Sequence, residues 1–187
     1  MQGSLVDALS TDDIRHRIHS SFLRPQTAIY IVTPFLQDVD FGNNWSLQRL
    51  ISRQLEESAR LELLTRPPVV DRGSGRNEFR RKYRLLEGLE RQGVHVRLNP
   101  HLHAKAFCFN HNDHVFATFV GSANMTGPGL HTHLEMALLA SNLEVYRGVM
   151  AVIRQFQQHP QSVSLAEWRA QARLEIADAF RGVSDDN

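Results

Sequence analysis

The sequence predicts an α/β protein in which helices cover a mixed β-sheet. Short runs rich in β-branched and aromatic residues alternate with stretches in which apolar residues recur at helical spacing. Two adjacent runs, 102–110 and 115–121, are joined by a short polar linker, which is typical of an antiparallel hairpin. With 187 residues, 42% of them hydrophobic and 22% charged, the chain can bury a substantial core.

The first half of the chain predicts two helices and two strands. Ser10 or Thr11 begins a helix that Pro25 ends, with Ile14, Ile18 and Phe22 on one face. A continuous apolar run at 27–33 predicts a buried strand, Leu47 to Leu55 a helix, and 61–65 a second strand.

The second half adds a loop, a hairpin and more helices. Residues 69–76 read as a loop, 78–92 as a helix and 94–98 as a third strand, followed by the hairpin and a strand at 135–140. A helical segment covers about 143–180 with a break near Pro160, and Ser164 has capping-box spacing to Glu167. We expect residues 1–187 to form a single domain.

Several classes of protein are excluded or disfavoured by composition. The single cysteine, Cys108, excludes an internal disulfide or a thiolate zinc cluster, and its apolar setting predicts plain burial in a strand. No basic segment followed by an apolar run marks a secretory signal, and no stretch approaches the ~20 apolar residues of a membrane helix. The expected location is therefore the cytoplasm, without membrane association. The net charge of +1 means that any polyanion site must come from local clustering.

Two polar motifs carry the chemistry. If residues 102–110 form one strand, His103 and Lys105 project from the same face, which places an imidazole beside an ammonium. Gly121, Ser122 and Asn124 follow directly on an apolar strand, where a glycine lets the backbone turn and small polar side chains can face a pocket. A nucleophile, a cation and hydrogen-bonding groups of this kind suit a phosphate, whose transfer depends on positioning and charge stabilisation.

The pattern His-x-Lys followed by Gly-Ser-x-Asn resembles the HKD signature of the phospholipase D superfamily. Glu135 stands where single-motif nucleases of this superfamily carry a glutamate that orients the nucleophilic histidine. The resemblance covers about residues 60–140 and implies a phospholipase D-like fold, with helices on both faces of the mixed sheet.

The resemblance implies a phosphodiesterase that uses no metal and no cofactor. His103 would attack phosphorus and form a phosphohistidine, while Lys105 and Asn124 hold the non-bridging oxygens. Ser122 would support these groups, and Glu135 would fix the tautomer of His103. The single-motif branch favours a nuclease acting on DNA, or on RNA, of the kind found in restriction and phage defence.

This chemistry needs two histidines, one to attack and one to protonate the leaving oxygen. The chain has a single His-x-Lys pattern. We therefore expect a homodimer in which two copies of the motif face each other across a two-fold axis.

A basic stretch predicts where nucleic acid binds. Between Arg66 and Arg97 there are nine Arg or Lys residues and four Asp or Glu. This excess indicates either a solvated helix face or a track for the phosphate backbone. The residues at its centre are Arg72, Arg76, Arg80, Arg81, Lys82 and Arg84.

One departure from the family pattern supports an alternative. The family usually has an aspartate five residues after the lysine, and this chain has Asn110 there. The alternative is a nucleic-acid-binding or scaffolding protein with weakened catalysis, while a phospholipid hydrolase is a less favoured reading. A second rival is a zinc or nickel site, because six of the ten histidines lie between His101 and His133, although Lys105 would repel a cation on the same face.

Overall fold

An eight-stranded mixed sheet forms the centre of the computed structural model, which describes residues 6–69, 75–111 and 115–181. The strands are β1 (Val6–Leu9), β2 (Ala28–Val32), β3 (Arg60–Thr65), β4 (His95–Leu98), β5 (Ala106–His111), β6 (Val115–Gly121), β7 (Ala137–Ala140) and β8 (Val163–Ser164). Their order across the sheet is β1-β7-β6-β5-β2-β3-β4-β8. Strands β2, β3 and β4 run parallel, and the other neighbours pair antiparallel. The predicted mixed sheet is confirmed.

Helices cover both faces of this sheet, as predicted. They are α1 (Thr11–Phe22), α2 (Leu47–Glu56), α3 (Gly75–Arg91), α4 (Leu143–Gln158), α5 (Leu165–Gln171) and α6 (Arg173–Phe180), with a π-helical turn at Pro128–Thr132. Five of the helices share one large core with the sheet, and α4 packs over a smaller core on the other face. No helix among the described residues is long and apolar enough to cross a membrane.

The periodicity of the sequence explains this layering. In β2, Ile29 and Ile31 point into the large core, whereas Val32 belongs to the smaller core under α4. Alternate residues of a strand face opposite sides, so a strand covered on both faces is apolar throughout. Ile14 and Phe22 of α1 are fully buried, as their helical spacing in the sequence predicted.

The predicted burial of Cys108 in a strand is confirmed. It lies in β5, is 0% exposed, and belongs to the core under α4. Burial raises the pKa of its thiol to about 12, so the side chain stays protonated and apolar at neutral pH.

Several element boundaries differ from the prediction. The strand expected from residue 102 begins only at Ala106, and the one expected from 135 begins at Ala137. Strand β1 was missed because its four residues bury only Leu9, and it exists because β7 offers a free edge for pairing. The segment 143–180 contains three helices and the two-residue strand β8, and the predicted capping box is present between Ser164 and Glu167.

Candidate active site

Strand topology brings both polar motifs to one edge of the sheet. Strand β5 runs antiparallel to β2, so the start of β5 lies beside the carboxyl end of β2. Strand β6 is antiparallel to β5 and β7 to β6, so the end of β6 and the start of β7 lie at the same edge. The segments that precede β5, follow β6 and precede β7 therefore gather there, and we call this region the motif edge. Ligands of open α/β sheets bind outside the carboxyl ends of the parallel strands, which is where this edge lies.

His103 and Lys105 lie in irregular backbone that leads into β5, and the prediction that they lie within a strand is wrong. Leu102 and Ala106 are 5% and 6% exposed and belong to the core under α4. This anchoring leaves the His103 imidazole exposed and Lys105 half-buried. The Lys105 ammonium donates a hydrogen bond to the His103 carbonyl oxygen at 3.0 Å, which keeps the cation beside the histidine.

The Gly-Ser-x-Asn segment turns sharply where β6 ends. A Cβ on Gly121 would collide with the Met136 carbonyl oxygen and the Ala137 Cα, so the close approach of these two strands requires glycine. Ser122 continues the contact, because its N–H donates to the Met136 carbonyl at 3.0 Å and its hydroxyl accepts from the Met136 N–H at 3.1 Å.

Asn124 has a buried amide atom without a partner. Its Oδ1 makes no hydrogen bond with any described residue. Buried polar atoms are nearly always hydrogen-bonded, so this side chain can take a partner from outside the described part of the chain.

Glu135 is held between Ser122 and the start of α1. The Ser122 hydroxyl donates to the Glu135 carboxylate, and the other carboxylate oxygen lies 3.9 Å from His133 Nδ1. The Thr11 hydroxyl accepts from the Glu135 N–H at 2.9 Å and donates to the His133 carbonyl at 2.8 Å. Within the described residues Glu135 has no hydrogen bond to His103. Thr11 was missed because it is more than a hundred residues away in sequence and no local pattern marks it.

The described basic residues of α3 contact different parts of the molecule. Arg76 pairs with Asp178 at 3.0 Å, and the guanidinium groups of Arg80 and Arg84 lie 5.9 and 5.5 Å from the centre of the Phe180 ring. Arg81 is exposed, and Arg72 lies outside the described residues.

Unlike Arg76, Arg80 and Arg84, Lys82 extends toward the motif edge. Its ammonium donates to the Pro34 carbonyl at 3.3 Å, just after β2. Burial, and then the nearby positive charge of Arg66, lowers the pKa of Lys82 to about 8, against a smaller opposing effect from Glu78.

A cavity next to His103 contains two further histidines that the motifs did not indicate. Its volume is about 310 Å³, and His101, His103 and His159 are among its lining residues. His159 Nδ1 accepts a hydrogen bond from the Gln161 N–H at 3.2 Å. Across the described ranges, no three His, Cys, Asp or Glu side chains come together as a metal-binding group.

Asn110 lies at the other end of β5. It is 9% exposed, and its side chain forms a hydrogen bond with Tyr146 of α4. It lies four residues along the strand from Ala106, a distance of roughly 13 Å. Asn110 is therefore a packing residue remote from the motif edge.

A match to a protein family identifies the proteins to which this chain is related. A family model described as "Cardiolipin synthase, PLD-like domain" matches residues 16–159. The chain belongs to this phospholipase D-like family. Proteins of the superfamily are phosphodiesterases and transferases. A comparison with curated proteins found no significant sequence match.

Three solved structures illustrate the shared phospholipase D-like fold. Nuc from Salmonella typhimurium, a phospholipase D family member, has 15% identity and a TM-score of 0.62, with 86% of this chain and 97% of that chain covered. NucT from Helicobacter pylori has 11% identity and a TM-score of 0.63, with 87% and 99% covered. Phosphatidylserine synthase from Haemophilus influenzae Rd KW20 has 17% identity and a TM-score of 0.64, with 96% of this chain but only 48% of that chain covered.

Proposed function

We propose that this chain is a metal-independent nuclease that cleaves DNA through a covalent intermediate on His103. The observation that carries the proposal is the exposed His103 imidazole beside the Lys105 ammonium, at the edge where Ser122, Asn124 and Glu135 also lie. A neutral imidazole in this setting is an accessible nucleophile, and the adjacent cation offsets the charge of the phosphate that it attacks.

The reaction has two displacements. A ring nitrogen of His103 forms a bond to phosphorus while the bond to the leaving oxygen breaks, and a second histidine gives that oxygen a proton. Water then attacks the phosphohistidine, gives its proton to the second histidine, and releases His103. Lys105 neutralises the phosphate oxygens, and a donor N–H from the Asn124 amide binds one of them.

Within one protomer, Glu135 contacts the site through its hydrogen bond with Ser122. Because the Ser122 hydroxyl donates to the Glu135 carboxylate, the pair fixes the turn after Gly121 next to the phosphate position. Orientation of His103 by Glu135, as the family pattern implies, remains part of the proposal.

The second histidine comes from a second copy of the chain. An apolar row next to the motif edge supports this dimer. Val120 and Leu138 are direct cross-strand partners and are 43% and 50% exposed. Leu134 and Met136, which lead into β7, are 101% and 66% exposed. Exposed apolar side chains that continue along a sheet face are typical of an interface.

A nuclease assay in excess EDTA tests the function. The wild-type protein should degrade single-stranded and double-stranded DNA, and His103→Ala should not. Equal degradation by both would contradict the assignment of His103, and loss of activity in EDTA that a divalent ion restores would contradict the mechanism. Release of a headgroup from phosphatidylglycerol vesicles, with no cleavage of DNA, would identify a phospholipid hydrolase instead.

Subunit mixing tests the dimer. When wild-type and His103→Ala chains are unfolded, mixed in equal amounts and refolded, activity should fall to about one quarter if each site needs two His103 side chains. A value of about one half, or full activity at dilutions where only monomer sediments, would show that one chain suffices. His159 in the cavity beside His103 is then the first residue to replace.

The alternative is a protein that binds nucleic acid without cleaving it. It rests on Asn110, whose position roughly 13 Å along β5 from the motif edge favours a packing role. Binding of DNA without cleavage by the wild type, together with cleavage by Asn110→Asp, would establish this alternative.

A further inference from the structure

Two cations outside the His-x-Lys motif meet at the motif edge. Lys82 reaches it from α3, and its ammonium donates to the Pro34 carbonyl at 3.3 Å. Arg66 follows β3 directly, and its Nε donates to the Leu102 carbonyl at 2.7 Å. The two cations lie close together, since Lys82 contacts Pro34 and the Arg66 guanidinium lies 5.5 Å from the ring centre of the next residue, Phe35. Arg66 accordingly contributes to lowering the pKa of Lys82.

No acidic group in the described part of the chain pairs with either cation. The ion pairs found there involve neither Arg66 nor Lys82. Glu78, one turn before Lys82 on α3, exerts only a weak opposing effect on its pKa. Two like charges that are partly desolvated and unpaired are unfavourable in the empty protein, and a bound anion would relieve both terms.

Donors are available for such an anion. An ammonium has three N–H groups and a guanidinium has five, and each of these side chains uses one of them in a hydrogen bond with a described residue. The remaining N–H groups of Arg66 can present the forked geometry that suits a phosphate.

This cation pair is joined to both polar motifs. Through Leu102, Arg66 contacts the residue that precedes His103. The segment that carries Pro34 is tied to the residue after Asn124, because the Thr33 hydroxyl accepts from the Met125 N–H at 3.2 Å. An anion held by Arg66 and Lys82 would therefore lie next to the phosphate that His103 attacks, without occupying the same position.

An exposed aromatic ring completes the arrangement. Phe35 is 47% exposed although it is large and apolar, and the Arg66 guanidinium lies 5.5 Å from the centre of its ring. Rings in this position stack on nucleic-acid bases with little preference for sequence.

We propose that Arg66 and Lys82 bind the phosphate adjacent to the scissile one in a nucleic-acid strand, and that Phe35 stacks on a base of that strand. This inference rests on the proposed function for its substrate, and it specifies a polynucleotide rather than an isolated phosphodiester. We call the three side chains the flanking subsite.

Binding without turnover provides the first test. A fluorescein-labelled 12-nucleotide single strand is titrated with His103→Ala protein in EDTA, and anisotropy gives Kd. Adding Lys82→Met should weaken binding about tenfold and reduce the slope of log K against log salt by about 0.7. Arg173→Met is the matched control, because Arg173 is an exposed cation on α6 with no described contact, and its effect should stay below about twofold.

Phe35 is tested in the same titration. Phe35→Ala should weaken binding by about tenfold, and Phe35→Tyr, which keeps the ring, should restore it. Because these variants and Lys82→Met change side chains outside the two cores, the weaker binding should not be accompanied by a lower melting temperature.

Turnover separates the flanking subsite from the site of cleavage. The ratio of kcat/KM for the 12-nucleotide strand to kcat/KM for bis(p-nitrophenyl) phosphate, which has one phosphate, should fall about tenfold in Lys82→Met. Equal losses on both substrates would assign Lys82 to the scissile phosphate and overturn the inference. So would Lys82→Met binding no more weakly than Arg173→Met.

Failure of the proposed function has a different signature. A wild-type protein that cleaves neither substrate while Lys82→Met selectively weakens strand binding refutes the nuclease and retains the flanking subsite. A wild-type protein that cleaves DNA while Lys82→Met keeps full affinity and an unchanged substrate ratio retains the nuclease and refutes the flanking subsite.

Discussion

The basic residues on two sides of α3 differ in what their charges contact. On the side that faces α6, Arg76 pairs with Asp178, and Arg80 and Arg84 lie over the Phe180 ring. At the motif edge, Lys82 meets Arg66 with no carboxylate among the described residues close enough for an ion pair. Basic residues therefore hold two helices together on one side of α3 and remain available for an anion on the other.

The groups that contact a basic side chain, rather than its charge alone, therefore decide whether it stabilises the fold or can bind an anion. A guanidinium that is already paired with a carboxylate gains little from a phosphate, because binding would first break that ion pair. A partly buried ammonium without a counter-ion has already lost much of its hydration, so a phosphate meets it at lower cost. Changes at the motif edge should therefore alter function, and changes on the α6 side should alter stability.

The largest expected effect is at the motif edge. Lys105→Met should lower kcat/KM for DNA by about a thousandfold, because it removes the positive charge beside His103 at the attacked phosphate. The unfolding free energy should change by less than about 1 kcal/mol, since the half-buried ammonium makes a single hydrogen bond with the described residues, to the His103 carbonyl. Steady-state kinetics and urea unfolding measure the two quantities. A loss of stability that matches the loss of activity would show that Lys105 is structural.

On the α6 side, a substitution should affect stability more than activity. Phe180→Ala should lower the unfolding free energy by about 2 kcal/mol, because the ring packs against Tyr83 and lies under Arg80 and Arg84. Activity per folded molecule should stay within about twofold of wild type. Leu174→Ala, which changes a side chain that is 85% exposed on the same helix, is the control and should leave the urea midpoint unchanged. A selective loss of DNA affinity in Phe180→Ala would erase the distinction between the two regions.

Lys82 should give a smaller effect on stability, with a defined pH dependence. Its pKa in the folded protein is about 8, below the 10.5 expected in the unfolded chain. Between these values the unfolded chain binds more protons, so the unfolding free energy should rise as pH increases from about 8 to about 10.5. Below pH 8 the charge is present in both states and its burial is unfavourable, so Lys82→Met should be more stable than wild type at pH 7 by about 1 to 2 kcal/mol.

Urea unfolding of wild type, Lys82→Met and Arg173→Met across pH 7 to 10 measures this effect. The charged groups that affect the pKa of the Lys82 ammonium are Arg66, which lowers it, and Glu78, which raises it. Parallel pH profiles for wild type and Lys82→Met would mean that Lys82 is solvated like an ordinary surface lysine. Strand binding should change in the opposite direction from stability, weakening as Lys82 loses its proton.

The smallest expected effect is at the ion pair between α3 and α6. Arg76→Ala should change the unfolding free energy by at most about 0.5 kcal/mol, because the side chains of Arg76 and Asp178 are 52% and 50% exposed and salt screens the pair. DNA affinity should be almost unaffected if Asp178 already occupies this guanidinium. A drop in affinity comparable to that of Lys82→Met, measured by anisotropy at the same ionic strength, would favour the phosphate-backbone track, one of the two interpretations of the sequence.

Much of the fold could be predicted because local patterns and burial agree. The alternation in β2 and the helical spacing of Ile14, Ile18 and Phe22 are properties of neighbouring residues, and the structure buries the faces that they define. Strand β1 and the two-residue β8 escaped prediction because each exists by pairing with a distant edge strand. The boundary error before β5 has a similar cause. Leu102 alternates with its neighbours as in a strand, yet residues 101–105 form no β-ladder with any strand that the structure describes.

The candidate site divides in the same way. The sequence by itself determined the two motifs, the place of Gly-Ser-x-Asn at a strand end, and the family to which the chain belongs. Only the tertiary structure placed Thr11 against Glu135, Asn110 far from the motif edge, and Lys82 beside Arg66. The physical reason is the distance over which each signal acts. Periodicity and propensity depend on a few neighbouring residues, whereas the role of a charged side chain depends on the groups that surround it in space. For the basic residues of α3, those groups come from α6 on one side and from the ends of β2 and β3 on the other.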